Sequence, residues 1–96
     1  MSSATPGIAV VIRSDGETGL QGLRAALSLA LGDRPPVLCL LGPAVGLLDA
    51  APGSETAACV QSLKAELDVE LRVEGRDGDR AALLRACAAF RLQQVF

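Results

Sequence analysis

The cysteines are the side chains of this sequence best suited to covalent chemistry. There are three, Cys39, Cys59 and Cys87, and none lies in a C-x-x-C motif, so we expect neither a disulfide framework nor a zinc site. The sequence has no His, Trp or Tyr, which excludes Ser-His-Asp and Cys-His catalysis, histidine metal ligation and stacking of bases on these aromatic rings. Any chemistry must use Cys, Asp, Glu, Arg, Ser, Thr or backbone amides.

The surroundings of the cysteines favour a structural role. Cys39 lies within the apolar run Val37–Leu41, which predicts a buried, inert thiol. Cys59 and Cys87 lie on or beside the apolar stripes of predicted helices, and Cys87 is near the negative end of its helix. Cys59 is the best candidate for a reactive thiol, because its helix is predicted to begin at the carboxyl edge of a sheet.

A glycine-rich segment follows the first apolar run. Its glycines, Gly16, Gly19 and Gly22, have the spacing G-x-x-G-x-x-G, and the segment also carries Asp15 and Glu17. Two carboxylates would repel a phosphate, so the pattern favours an ordinary turn from strand to helix over a phosphate-binding loop. We interpret Gly22 as a helix glycine that allows close packing.

Acidic residues near the predicted carboxyl edge raise the question of a magnesium site. Asp15, Glu17, Asp49 and Glu74 could all lie there, but none belongs to a D-x-D ligand run. We interpret these side chains as solvated, and we predict no metal or cofactor.

The elements that must position these residues follow a βαβ pattern. The strand-like runs are Ile8–Ile12, Pro36–Leu41, Val69–Val73 and Leu92–Phe96, and a helix-length amphipathic segment fills each gap. The pattern predicts a small three-layer α/β sandwich with a mainly parallel sheet of four to five strands and flavodoxin-like connectivity. We expect the first strand to be central, flanked by the second and third, with helices on both faces of the sheet.

Local signals mark the ends of these elements. An apolar stripe beginning at Leu20 predicts a first helix that ends at Gly32, while Ser54 and Asp79 are the expected N-caps of the next two. Val69–Val73 alternates apolar with charged residues, which is typical of a strand near an edge. The apolar segment Gly42–Gly53 is predicted to be a loop that packs against something.

Composition limits the size and the partners of the domain. Residues 1–7 are small and polar, with Pro6 and Gly7, and we expect them to form a flexible leader. The length of 96 residues predicts a single domain, over residues 8–96. Half of the residues are hydrophobic, more than so small a domain can bury, so we expect a homo-oligomer. The expected interface is the apolar group Val45, Leu47 and Leu48.

Charge and hydropathy exclude two other classes of partner. The net charge is −2 and the sequence has no basic cluster, so no nucleic-acid partner is expected. No apolar run approaches the roughly 18 residues of a membrane-spanning helix, and the first residues do not resemble a secretory signal. We therefore expect a cytoplasmic protein that does not associate with membranes.

The order of segments resembles that of the DsrE/DsrF-like family, which includes the subunits of bacterial sulfur-relay complexes. The segments that carry the resemblance are Gly7–Ile12, Gly22–Gly32, Val37–Leu48, Ser62–Val73 and Gln93–Phe96. The resemblance implies a DsrE-like α/β domain over residues 8–96 that assembles with itself or with related DsrE-like subunits.

The resemblance also implies where sulfur chemistry would occur. Active carriers of the family hold persulfide sulfur on a cysteine after the third strand, and the matching position here is Glu74. A carboxylate cannot accept a sulfane sulfur, so we expect a non-catalytic structural or accessory subunit, and the resemblance implies a link to intracellular sulfur transfer.

Two alternatives remain open. One is a persulfide carrier that uses Cys59 as a displaced cysteine. The other is a small-ligand sensor at the carboxyl edge of the sheet, with a binding loop formed by Ser14, Asp15, Gly16, Gly42 and Glu74.

Overall fold

The computed structural model of the protein describes residues 7–32 and 34–96. The elements are β1 (Ile8–Ile12), α1 (Gly16–Leu31), β2 (Val37–Leu40), a 3₁₀ helix (Gly42–Asp49), α2 (Glu55–Gln61) with a π-helical continuation (Ser62–Glu66), β3 (Glu70–Val73), α3 (Arg80–Cys87) and β4 (Leu92–Val95). The predicted flexible leader, apart from Gly7, lies outside the described residues. Among the described residues, no helix combines the length and the hydropathy that a membrane span requires.

The four strands form one parallel sheet in the order β3-β2-β1-β4. In the middle of the sheet Val10 of β1 lies between Leu38 of β2 and Gln94 of β4, and Leu38 lies beside Leu71 of β3. The predicted fold class, a small α/β sandwich with a parallel sheet, is confirmed.

The predicted neighbours of β1 need a correction. β1 is an interior strand, but its neighbours are β2 and β4, and β3 lies beyond β2 at the edge. The predicted flavodoxin-like connectivity is therefore wrong, because that connectivity places β3 beside β1. The chain steps from β1 to β2 to β3 in one direction, and the connection through α3 then returns across the sheet to β4. The apolar run Ile8–Ile12 indicates a strand covered on both faces, but it does not specify which strands lie on either side. The edge position of β3 is confirmed.

The sheet separates two hydrophobic cores. Alternate residues of β1 face opposite sides, so that Val10 and Ile12 pack beneath α1, the 3₁₀ helix and α2, while Ala9 and Val11 pack beneath α3. All five residues of β1 are buried. Helices therefore cover both faces, as the sequence predicts.

Capping side chains begin the second and third helices as predicted. The Ser54 hydroxyl accepts a hydrogen bond from the Ala57 N–H at 3.1 Å, and the Asp79 carboxylate accepts one from the Ala82 N–H at 2.8 Å. Both bonds satisfy backbone donors that a helix start leaves free.

The segment Gly42–Gly53, predicted to be a loop, begins with the 3₁₀ helix. Leu47 is buried, and Val45 and Leu48 are half-buried against the core shared by α1 and α2. The apolar character of the segment thus arises from packing within the chain. It no longer argues that Val45, Leu47 and Leu48 require a partner subunit.

Helix α1 packs closely over β1 at Gly22. A Cβ atom at Gly22 would lie 2.7 Å from Cγ1 of Ile12 and 3.1 Å from Cβ of Phe96, both closer than normal contact. The interpretation of Gly22 as a close-packing glycine is confirmed.

We expect Gly22→Ala to lower the free energy of unfolding by about 1–3 kcal/mol, because the added methyl overpacks the core beside Ile12. The matched control is Gly46→Ala in the 3₁₀ helix, where a Cβ would meet nothing within 4 Å. That change should leave stability unchanged or raise it by up to about 1 kcal/mol. Urea unfolding followed by circular dichroism measures both, and equal effects would contradict the close-packing account.

Candidate functional site

The loops that follow β1, β2 and β3 meet at the carboxyl edge of the sheet. The Leu41 N–H donates to the Ile12 carbonyl at 2.9 Å, and the Glu74 N–H donates to the Leu40 carbonyl at 3.0 Å. These bonds extend the strand ladder and bring the beginnings of the three loops side by side. This edge is where parallel sheets usually bind ligands.

Glu74 joins three elements at this edge. Its Oε1 atom accepts a hydrogen bond from the Gly42 N–H at 2.8 Å, at the start of the 3₁₀ helix, and lies 3.8 Å from Nε of Arg80, the first residue of α3. A Cβ at Gly42, whose φ is +56°, would lie 2.9 Å from an Arg80 terminal nitrogen. The carboxylate therefore ties the end of β3 to the starts of two helices.

A second carboxylate closes the loop between β3 and α3. The Asp77 Oδ2 atom accepts hydrogen bonds from the Val73 N–H at 2.8 Å and from Nε of Arg76 at 2.9 Å. The bond from the Val73 N–H, followed by that from Arg76, lowers the pKa of Asp77 below its usual value. Sequence reasoning missed Asp77 and Arg80, although an Asp in a Gly-Arg-Asp-Gly turn is a common loop-closing residue.

The predicted ligand loop is only partly assembled by the structure. Gly42 and Glu74 are joined by a hydrogen bond. The other three candidates, Ser14, Asp15 and Gly16, follow β1, which is the neighbour of β2 in the sheet. Asp15 is exposed and precedes α1, but its side chain makes no capping hydrogen bond. Gly16 has a φ of +61° and opens the helix. The described residues contain no group of three or more Cys, Asp or Glu side chains placed to hold a metal ion.

A small cavity lies away from this edge, beneath the cover formed by α1 and α2. Its volume of about 10 Å³ is close to that of one water-sized sphere. Except for Lys64 its lining is apolar, and consists of Leu23, Leu38, Leu40, Leu48, Val60, Leu63, Val69 and Leu71. The cavity offers few polar groups for orienting a ligand.

All three cysteines are free and buried. Cys39 and Cys87 belong to the core beneath α3, and burial, reinforced by the neighbouring Cys87, raises the pKa of Cys39 to about 12. The predicted core role of Cys39 is confirmed.

Cys59, the candidate sulfur carrier, lies in the other core and is only 6% exposed. Burial and the nearby Glu55 carboxylate raise the pKa of the Cys59 thiol, while Arg24 acts in the opposite direction. Arg24 is itself held by Glu55, which accepts a hydrogen bond from its Nε at 2.8 Å. These surroundings disfavour the thiolate that an attacking or accepting cysteine needs.

We expect all three thiols to be alkylated slowly in the folded protein and rapidly after unfolding in urea. Cys59 should be labelled before Cys39 and Cys87, because its exposure of 6% exceeds theirs of 0% and 1%. Pulse labelling with iodoacetamide and peptide mass mapping measure the order. Labelling of Cys59 as fast as that of free glutathione would contradict its burial.

We expect Glu74→Ala to lower the free energy of unfolding by about 1 kcal/mol, because it leaves the Gly42 N–H without its acceptor. The expected loss is smaller than is typical for hydrogen bonds to charged groups, because the Glu74 side chain is 33% exposed and solvent weakens the interaction. Glu74→Gln, which keeps an acceptor oxygen, should lose less. Urea unfolding compares the two variants. A larger loss of unfolding free energy in Glu74→Gln than in Glu74→Ala would show that Glu74 does not stabilise the protein through this hydrogen bond.

The chain was also compared with known proteins. No protein-family model, curated protein or solved structure matches it. The resemblance to the DsrE/DsrF-like family therefore stays a prediction.

Proposed function

We propose that this chain is a non-catalytic DsrE-like domain that acts as a structural or accessory subunit of an oligomeric assembly linked to intracellular sulfur transfer. The observation that carries the proposal is the role of Glu74. The residue at the position of the family's sulfur-carrying cysteine is a carboxylate that joins the 3₁₀ helix and α3 to the end of β3. Glu74 thus has a structural task at the point where carriers perform chemistry.

The cysteines support the same conclusion. A sulfur carrier must present a thiolate to a donor and then to an acceptor, so its thiol has to be reachable and readily ionised. Cys39, Cys59 and Cys87 are buried, and the pKa values of Cys39 and Cys59 are raised. Carriage by Cys59 would require α2 to move away from the core.

The sensor alternative has less support from the geometry. Gly42 and Glu74, two of its five candidate residues, are hydrogen-bonded to each other, so a ligand would have to replace that bond. The remaining candidates, Ser14, Asp15 and Gly16, follow β1, which lies beside β2.

The proposal is tested by incubating the protein with a cysteine desulfurase and cysteine, followed by intact-mass analysis with and without reductant. We expect no reducible gain of one sulfur atom in the unmodified protein, because no buried thiol can meet the donor. Glu74→Cys is the informative variant, since it places a thiol at the family's carrier position. We expect that variant to gain sulfur, and circular dichroism checks that it is folded.

The outcomes separate the two parts of the proposal. A gain in the unmodified protein that Cys59→Ser abolishes would overturn the non-catalytic assignment in favour of a Cys59 carrier. No gain in folded Glu74→Cys would remove the link to sulfur transfer while leaving the structural role.

A further inference from the structure

The strand β4 is an edge strand whose exposed side chains are uncharged. In the described part of the chain it pairs only with β1, and its sequence is Leu92-Gln93-Gln94-Val95. All four residues are exposed, including Leu92 at 57% and Val95 at 52%. Open edges of this kind are available for pairing with another strand.

The opposite edge of the sheet is built differently. β3 carries Glu70 and Arg72, whose side chains form an ion pair at 2.7 Å. Charged side chains on an edge strand discourage pairing with other chains, and β4 has none. The contrast identifies the β4 side as the edge that is open to a partner.

The backbone of β4 shows which of its groups are available. Leu92 and Phe96 direct their N–H groups to the Gly7 and Val11 carbonyls of the β1 side, and the Phe96 carbonyl accepts from the Arg13 N–H. Because backbone groups alternate along a strand, the N–H and C=O groups of Gln93 and Val95 point away from β1. Four hydrogen-bonding groups therefore face outward.

We propose that β4 pairs antiparallel with β4 of a second copy of this chain, about a two-fold axis that passes beside Gln94. In this register Gln93 of each copy lies opposite Val95 of the other, so that all four outward groups of each copy are used. The paired sheets form one continuous eight-stranded sheet, since each copy supplies four strands.

The side chains match in the same register. Leu92 and Phe96 lie on the face of the sheet that α1 covers. Leu92 pairs with Ile8, whose side chain belongs to the core beneath α1, and Phe96 packs against the same core. Across the axis Leu92 then lies opposite Phe96 of the second copy. Apolar and aromatic cross-strand pairs of this kind stabilise antiparallel sheets. Shifting the axis to Gln93 would instead place Leu92 opposite a glutamine.

The inference deepens the assembly role proposed above, on which it rests, by naming the surface and the partner. Pairing of two edge strands buries little accessible surface, so the dimer belongs to the weak or transient class of interfaces. It also moves the predicted interface away from Val45, Leu47 and Leu48, which pack within the chain.

A cysteine at the axis tests the register. Residues opposite each other at a non-hydrogen-bonded position have Cα atoms about 4.5 Å apart, within the range of a disulfide. We expect Gln94→Cys to form a disulfide-linked dimer in oxidised glutathione. The matched control Gln93→Cys should not, because its two thiols lie on diagonal positions. The native cysteines are buried and do not compete. A non-reducing gel and intact mass read the result.

Charge placement tests the interface without a covalent bond. Gln93→Lys/Val95→Lys puts like charges opposite each other at both hydrogen-bonded positions, and we expect dimerisation to weaken about tenfold or more. Gln93→Glu/Val95→Lys changes the same exposed positions but opposes Glu to Lys, so it should retain the dimer. Sedimentation equilibrium measures the dissociation constants, and circular dichroism checks that both variants are folded.

Three results would overturn the inference. They are an unmodified protein that stays monomeric at every concentration tested, a dimer whose affinity both charge variants leave unchanged, and a Gln93→Cys dimer forming in place of the Gln94→Cys dimer. The desulfurase experiment uses protein without these substitutions, so it judges the non-catalytic role separately.

Discussion

The burial of β1 on both faces is the constraint on which the rest of this structure depends. Five consecutive apolar residues can be buried together only if the chain supplies a layer of side chains on each side of the sheet. One layer comes from α1, the 3₁₀ helix and α2, and the other from α3. In this chain of 96 residues the two layers also bury all three cysteines.

The polar contacts at the carboxyl edge hold these layers in register. Glu74 binds the first N–H group of the 3₁₀ helix, and Asp77 binds the Val73 N–H at the end of β3. Acidic side chains at this edge could suggest a binding site, but here they satisfy backbone donors that would otherwise lack partners. At Glu74 and Asp77 the carboxyl edge is thus a joint between elements.

The sequence was informative wherever the determining interaction is local. The alternation in Val69–Val73 predicts an edge strand, Ser54 and Asp79 predict helix starts, and the apolar run containing Cys39 predicts its burial. Each of these signals depends on residues a few positions apart.

Interactions between distant segments could not be predicted in this way. The second neighbour of β1 depends on where the connection through α3 places β4 in the sheet, and the hydropathy of the strands does not specify that position. The 3₁₀ helix looked like an apolar loop because its start is held by Glu74, 32 residues away from Gly42. The resemblance singled out Glu74 in the sequence, but its hydrogen bond to Gly42 could not be predicted.

The pairing of β1 with β4 has a kinetic consequence. It joins Ile8 to Leu92, two residues at nearly opposite ends of the sequence, so its loop-closure entropy exceeds that of any other strand pair in the sheet. During synthesis β1, α1 and β2 emerge early, so β1 can pair with β2 at once. Its pairing with β4 can form only after β4 has been synthesised. An incomplete chain would therefore leave the apolar strand β1 with one unpaired edge, which favours aggregation until β4 has been made.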